Sequence, residues 1–315
     1  MRLPRQRAAL LAAAAAVLVL AGGAMTALVW TDGDHHPAAR HRPGPAAATT
    51  MTPRATPPVA SPATASAAPV PAGVRPPPAR AVFDYQIGGA YPPAASAGIV
   101  DRDHHQSPVA GRYNICYVNG FQTQPEENSW WVANHPDLLL RDGGRYVEDP
   151  GWPGERVLDV TTPARRAAIA GVLDGWFADC AGKGFQAVEP DNLDSWTRSH
   201  HLVSQADAVA MARLLVTRAH ARGLAVAQKN APELGSAGRT AVGFDFAIAE
   251  ECSVYAECSN YLAVYGSLVY EIEYTDNGID AFRKACADHG GKISILLRDR
   301  YVSPVGNPAY HNQSC

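Results

Sequence analysis

From residue 82 onward, short apolar runs alternate with longer stretches in which apolar residues recur at helical spacing. Residues 82–87, 98–101, 113–118, 185–189, 224–229, 244–249, 268–273 and 292–297 each read as a strand, the second weakly. Thr162 caps a helix that starts at Pro163. Its Ile169, Val172, Leu173, Trp176, Phe177 and Cys180 form one apolar stripe before Gly182 and Gly184 end it. Ser204 and Asp207 have the spacing of a capping box, followed by a buried face of Ala208, Ala212, Leu215, Val216 and Ala219 and a stop at Gly223. A third helix is predicted over 279–288. About eight strands in alternation with helices imply parallel pairing through right-handed crossovers, so the predicted class is α/β, a (β/α)8 TIM-type barrel.

Two segments interrupt this rhythm. Residues 119–157 form a long loop with Gln122, Gln124, Trp130, Trp131 and Trp152, and residues 251–265 hold two cysteines and three tyrosines. Both follow strands and so lie over the C-terminal face of the barrel. Aromatics and amides there suit sugar rings, which have apolar faces rimmed by hydroxyls. Trp130 and Trp131 serve equally well as anchors that pin a long loop to the barrel.

Polar residues gather where the strands finish: Gln86, Asp101 and Asp103, Tyr117 and Asn119, Glu189 with Asp191 and Asn192, Lys229 and Asn230, Glu250 and Glu251, Glu273 and Tyr274, Arg298 and Asp299. Folding alone does not call for this, because apolar groups would close a strand end at lower cost. The richest stretch is Gly184-Phe185-Gln186-Ala187-Val188-Glu189-Pro190-Asp191-Asn192. Glu189 and Asp191 are two apart on a strand and project to one side, where crowded carboxylates resist ionisation. Asp191 and Glu250 sit on different strands of the same face, as glycoside hydrolysis by two carboxyl groups requires.

Composition adds a frame. Arg2, Arg5 and Arg7 precede an uncharged apolar run over 8–30, which reads as an export signal, either cleaved or kept as a membrane anchor. Residues 32–80 are rich in Pro, Ala and Thr and read as a disordered spacer. The predicted organisation is therefore 1–31 signal or anchor, 32–80 linker and 81–315 barrel, in an extracellular or cell-surface protein that works as a monomer. The net charge of -3, without a basic stripe, argues against nucleic acid as a partner. Six cysteines in an exported domain suggest disulfides; Cys252–Cys258 is the easiest pair to propose, while Cys116, Cys180, Cys286 and Cys315 leave the connectivity open. Zinc is the rival use, but no CxxC pair is present.

Asp103-His104-His105 offers metal ligands, as in deacetylases or phosphoesterases, yet no matching His/Asp set stands elsewhere at diagnostic spacing, so no metal is assigned. His200-His201 and His220 read as a solvated loop pair and a helix C-terminal cation. Lys229 would form a Schiff base if desolvated, but the carboxylates around it favour an ion-paired lysine. Asn312-Gln313-Ser314 matches a glycosylation acceptor, too short a motif to weigh.

The set Phe83-Asp84-Tyr85-Gln86, Ile115-Cys116-Tyr117, the 184–192 stretch, Gln228-Lys229-Asn230-Ala231, Glu250-Glu251-Cys252 and Ile272-Glu273-Tyr274 resembles glycoside hydrolase family 114, whose characterised members are endo-α-1,4-polygalactosaminidases. The resemblance implies a (β/α)8 barrel that hydrolyses α-1,4-linked galactosamine polymers without a cofactor. It makes Asp191 the nucleophile and Glu250 the acid/base. Gln86, Asp103, Tyr117, Glu189, Asn192, Lys229, Asn230 and Glu273 would line the sugar subsites. Clustered carboxylates fit a polymer that carries ammonium groups. One departure is Glu251, where the family often has glutamine: a second carboxylate there would act on Glu250 or bind a sugar amine. Two other classes stay in view, an inactive polysaccharide-binding barrel and a metal-dependent deacetylase built on Asp103, His104 and His105.

Overall fold

The computed structural model describes residues 73–315; the signal or anchor over 1–31 and residues 32–72 of the spacer lie outside the described residues. Residues 73–80, assigned to the spacer by their prolines, pack against the domain. Val74 is buried in the inner core, the Tyr113 hydroxyl donates to the Arg75 carbonyl, and the Tyr270 hydroxyl donates to that of Pro78. Tyr113 and Tyr270 stand near the starts of their strands, so this segment caps the N-terminal end of the barrel.

Eight parallel strands follow in chain order: β1 (Phe83–Tyr85), β2 (Ile99–Asp103), β3 (Tyr113–Asn119), β4 (Ala187–Asp191), β5 (Ala225–Lys229), β6 (Phe246–Glu250), β7 (Val269–Tyr274) and β8 (Ser294–Arg298). Nearly every strand residue is buried, because one face lines the barrel and the other meets helices. Such strands read as unbroken apolar runs, which is why the sequence pattern located all eight. The inner core is Phe83, Tyr85, Ile99, Ile115, Ala187, Ala225, Ala227, Phe246, Ile248, Tyr270, Ile272 and Leu296, flanked by smaller contributions. β9 (Asn312–Ser314) adds antiparallel to β8, pairing Leu296 with Ser314 and Arg298 with Asn312. Side chains rather than a ladder tie the seam to the short β1: Asn312 donates to Asp84, and the Ser294 hydroxyl donates to the Ala81 carbonyl. The Asn312 amide of the apparent glycosylation motif is thus engaged within the fold.

Helix α1 (Asn128–Asn134) lies in the long loop after β3, followed by α2 (Pro163–Lys183), α3 (Gln205–Ala221), α4 (Cys258–Tyr265) and α5 (Ile279–His289). Thr162 Oγ1 accepts from the Arg165 N–H, Gly184 ends α2 in the left-handed region at φ 97°, and Ser204 and Asp207 form the expected capping box. α1 and α4 fall in segments that read as irregular, since each is too short for periodicity to show. Among the described residues no α-helix joins β1 to β2, β2 to β3 or β5 to β6; the last connection uses a 3-10 turn (Pro232–Leu234) and a π-helical turn (Gly238–Val242). All six cysteines pair: Cys116–Cys180 joins β3 to α2, Cys252–Cys258 closes the loop ahead of α4, and Cys286–Cys315 fastens α5 to the end of β9. None of the described helices is long and apolar enough to cross a membrane.

Candidate active site

The C-terminal ends of β4, β5 and β6 converge on one buried ammonium. Lys229 Nζ lies 2.9 Å from Glu189 Oε1, 3.1 Å from Asp191 Oδ1 and 3.4 Å from Glu250 Oε2, and it donates to the Tyr85 hydroxyl at 3.2 Å. Strand parity places these groups: Glu189 and Asp191 alternate with outward Val188 and Pro190, and Lys229 continues the inward series Ala225 and Ala227. The β4–β5 register runs only through Ala187–Ala225 and Val188–Val226. Pro190 lies past that point and has no N–H to contribute, so the strands part where Lys229 needs access to both acids. Gly120, after β3, leaves the space Pro190 fills; a Cβ there would stand 2.9 Å from that of Pro190.

Each strand end turns sharply. Asn192, Asn230, Ala231 and Glu251, directly after Asp191, Lys229 and Glu250, have φ of 63°, 52°, 59° and 58°. Asparagine accepts this region readily, whereas Ala231 and Glu251 hold it at about 1–2 kcal/mol each. The turn at Asn192 aims its N–H at Asp191 Oδ1, 2.6 Å away, while the Tyr117 hydroxyl donates to Oδ2 at 2.8 Å. Glu250 accepts from the Tyr274 hydroxyl and, at 2.9 Å, from the Asn230 amide, which takes the Glu250 N–H in return at 2.9 Å.

These contacts set the charge states. Burial pushes the Asp191 carboxyl up, but the Lys229 ammonium, the Asn192 N–H and the Tyr117 hydroxyl outweigh it and hold the group below the usual carboxylate range. Burial works against the Lys229 charge, yet Asp191, Glu189 and Glu250 together raise its affinity for the proton well above that of a free lysine. A lysine held as ammonium is no nucleophile, which removes the Schiff-base reading. Glu189 is raised by burial despite Lys229, and Asp101 is raised well above the usual range by burial and by the charge of Glu189. Both Asp101 oxygens and Glu189 Oε2 lack any other donor. One proton held between the two carboxyls satisfies that face. The hydroxyls of Tyr85, Tyr117 and Tyr274 are all raised by burial and by the nearby carboxylates, so they stay protonated and donate.

Of the residues expected to line the mouth, Tyr117, Glu189, Asn192, Lys229 and Asn230 join Asp191 and Glu250. Gln86 does not: its side chain is fully buried, donating to Asp84 and accepting from Arg102. Glu273 points outward with Glu271, as the inward Tyr270, Ile272 and Tyr274 dictate, and accepts the Ser253 N–H beneath the Cys252–Cys258 loop. Glu251 is neutralised by Arg300 at 2.5 Å, itself held by Asp276 and stacked 4.2 Å over the Tyr274 ring. Asp103 has its oxygens taken by His105 and by Gln124. Trp131 is fully buried against Trp176 and acts as the loop's anchor, while half-exposed Trp152 meets Tyr301, a residue just after β8, ring to ring at 6.1 Å.

Glu155, from the long loop, is a member that the strand pattern could not reveal. Its Oε2 accepts from the Asn119 amide at 3.1 Å and from the Asn192 amide at 3.3 Å, and burial followed by the charge of Asp191 pushes it up to about 8. The folded protein therefore binds this proton more tightly than the unfolded chain. The associated stability is complete below the ordinary value of 4.5 and is lost as pH rises through about 8. Glu155→Gln keeps an acceptor for both amides and cannot ionise. Its melting temperature is expected to fall less between pH 4.5 and 8 than that of the wild type; parallel curves would remove Glu155 as the source.

Comparisons with known proteins bear on the fold and the family. The crystal structure of Aspergillus fumigatus Ega3 in complex with galactosamine superposes with a TM-score of 0.62 at 20% identity, over 77% of this chain and 98% of that one. The glycoside hydrolase domain of PelA from Pseudomonas aeruginosa gives 0.50 at 14% identity, over 71% and 96%. A search of the curated proteins finds no match. At such identities these structures speak for the fold, a TIM-type barrel, while the sequence profile of Glycoside-hydrolase family GH114 matches residues 63–315. With that match extending over most of its length, the chain belongs to glycoside hydrolase family GH114.

Proposed function

We propose that this hydrolase cleaves α-1,4-linked galactosamine polymer within the chain and retains the anomeric configuration, with Asp191 as nucleophile and Glu250 as acid/base. The observation that carries the pairing is the single ammonium touching both carboxylates, at 3.1 and 3.4 Å. It keeps their nearest oxygens no more than about 6.5 Å apart, at or below the lower edge of the roughly 6.5–9.5 Å that an inverting enzyme keeps open for water, which supports retention.

The environments divide the roles. Asp191 is kept ionised by three donors, as a nucleophile must be. The Glu250 side chain is the more exposed of the two, 23% against 16%, and so has the better route for exchanging protons with water. In the first step an Asp191 oxygen bonds to the anomeric carbon, the glycosidic bond breaks, and the Glu250 proton passes to the leaving oxygen. In the second, Glu250 takes a proton from water, the hydroxide bonds to the same carbon, and Asp191 departs as carboxylate. Tyr117, Asn192 and Lys229 position the nucleophile; Asn230 and Tyr274 position the acid/base.

A substrate with a free amine at each sugar suits a mouth whose acids outnumber its cations, and the fold relative Ega3 is known in complex with galactosamine. Three disulfides suit an oxidising compartment, consistent with export directed by residues 1–31. Incubation with deacetylated and N-acetylated galactosamine polymers, read by mass spectrometry and by proton NMR of the first-formed anomer, is expected to give α-configured oligomers from the deacetylated chain. β-Configured products would overturn retention. Polymer binding without new ends would point to a binding barrel, and release of acetate from the N-acetylated chain, lost with a chelator, would point to a deacetylase.

A further inference from the structure

Beside the mouth, the turn after β2 gathers side chains that the hydrolytic arrangement does not use. Asp103, His104 and His105 are consecutive, and the Gln106 N–H donates to the Asp103 carbonyl at 2.8 Å, folding the chain so that one ligand atom from each lies within 4.8 Å of the others. Glu127, from the 3-10 turn Pro125–Glu127 that leads into α1, completes the group. Its Oε1 is 2.9 Å from His104 Nε2 and 3.9 Å from His105 Nε2, and its Oε2 is buried with no partner. Consecutive residues in extended chain would send their rings apart; here the two imidazoles stand 4.0 Å apart, and both direct Nε2 toward one carboxylate.

We propose that His104 Nε2, His105 Nε2 and Glu127 form a binding site for a divalent transition ion of the zinc class, with Asp103 as the carboxylate behind His105. Ligand atoms about 2.0–2.2 Å from a tetrahedral zinc stand roughly 3.3–3.6 Å from one another, and the two edges to Glu127 Oε1 bracket that span. Asp103 Oδ1 lies 2.8 Å from His105 Nδ1, which fixes the tautomer that leaves Nε2 free as a ligand, as carboxylates behind metal-bound histidines do. Asp103 is itself held by the Gln124 amide, and His104 by stacking on Trp176 at 4.7 Å. The orphaned Glu127 Oε2 gains a role as second ligand oxygen or as acceptor from a metal-bound water. Side-chain exposure of 60% at His105 opens the remaining position to solvent.

The ion would take the position between His104 Nε2 and Glu127 Oε1, which now contact each other directly at 2.9 Å. None of the carboxylates touching Lys229 is a ligand, and the hydrolytic steps do not pass through the site. Its effect is to pin the β2–β3 turn to the loop that delivers Glu155 to Asn119 and Asn192.

The test is calorimetric titration of the full, tag-free, metal-stripped chain with Zn²⁺, alongside Co²⁺ titration read by visible absorption. One ion per chain is expected, with the intense visible bands of four-coordinate Co²⁺ and a melting temperature raised by Zn²⁺. His105→Ala alters an exposed side chain and Glu127→Gln preserves shape, so both variants fold, as circular dichroism will show. Each should weaken Zn²⁺ binding by at least about 100-fold and abolish the thermal shift, while Asp103→Asn should weaken it about 10–100-fold. Absence of stoichiometric binding, or wild-type affinity in any of the three variants, overturns the assignment.

Discussion

Asp191→Asn is expected to abolish release of reducing ends from galactosamine polymer while the protein still folds, and Glu250→Gln to do the same by a different route. Removal of a covalent nucleophile acts on the order of 10⁴–10⁶-fold in turnover, because no other group can take up its bond to the anomeric carbon. Asparagine with its carbonyl oxygen in the place of Oδ1 keeps the Asn192 N–H, and its amide can donate to the Tyr117 hydroxyl in place of the bond Oδ2 accepts, so the variant should still fold. The two variants part on an activated α-glycoside with added azide. In Glu250→Gln the covalent intermediate still forms, and azide attacks it to give the α-azide. In Asp191→Asn azide must attack from the vacated face and gives the β-azide. The opposite pattern would exchange the two roles, and retained polymer cleavage in both variants would sink the pair.

Lys229→Met should be the most damaging single change to stability. Three carboxylates converge on this ammonium, with Glu189 fully buried, and removing one partner of such a group costs about 3–5 kcal/mol. The loss depends on pH with a definite sign. In the wild type, Asp191 is depressed below its ordinary 3.8, so its contribution is present above that value and is lost as pH falls through the lowered one. Without Lys229 the buried acids are best kept protonated, so the variant should be closest to wild type under acid conditions and fall further behind as pH rises. Urea titrations at pH 4 and pH 8 would show this. An equal deficit at both would mean that the lysine contributes packing rather than charge.

The sequence pattern located the barrel because its strands are buried on both faces and its longer helices carry caps at Thr162 and Ser204. What it could not convey is the direction of a side chain at a strand end. Position along the strand sets a residue's height in the barrel, whereas parity sets its face. Glu273 and Tyr274 are neighbours at the end of β7, yet only Tyr274 reaches Glu250. Gln86 sits just beyond β1 and serves Arg102 instead of the mouth. Asp101 shares the parity of Ile99, and that alternation was available as a signal for its place beside Glu189. Glu155 and Glu127 lie in the long loop after β3, which has no periodicity to read, and only tertiary packing brings them to Asn192 and to His104. Glu251 was visible as an extra charge, but its neutralisation by Arg300 depends on a residue 49 positions away.

In the proposed retaining reaction, the buried lysine also acts on the covalent intermediate. When Asp191 becomes an ester it loses its negative charge, while the ammonium 3.1 Å away stays in place, as does any ammonium on the bound sugar. The site then holds surplus positive charge that water cannot readily disperse. Such an ester resembles a compressed spring: cleaving it restores the ion pair, so hydrolysis runs downhill electrostatically and the intermediate should turn over without accumulating.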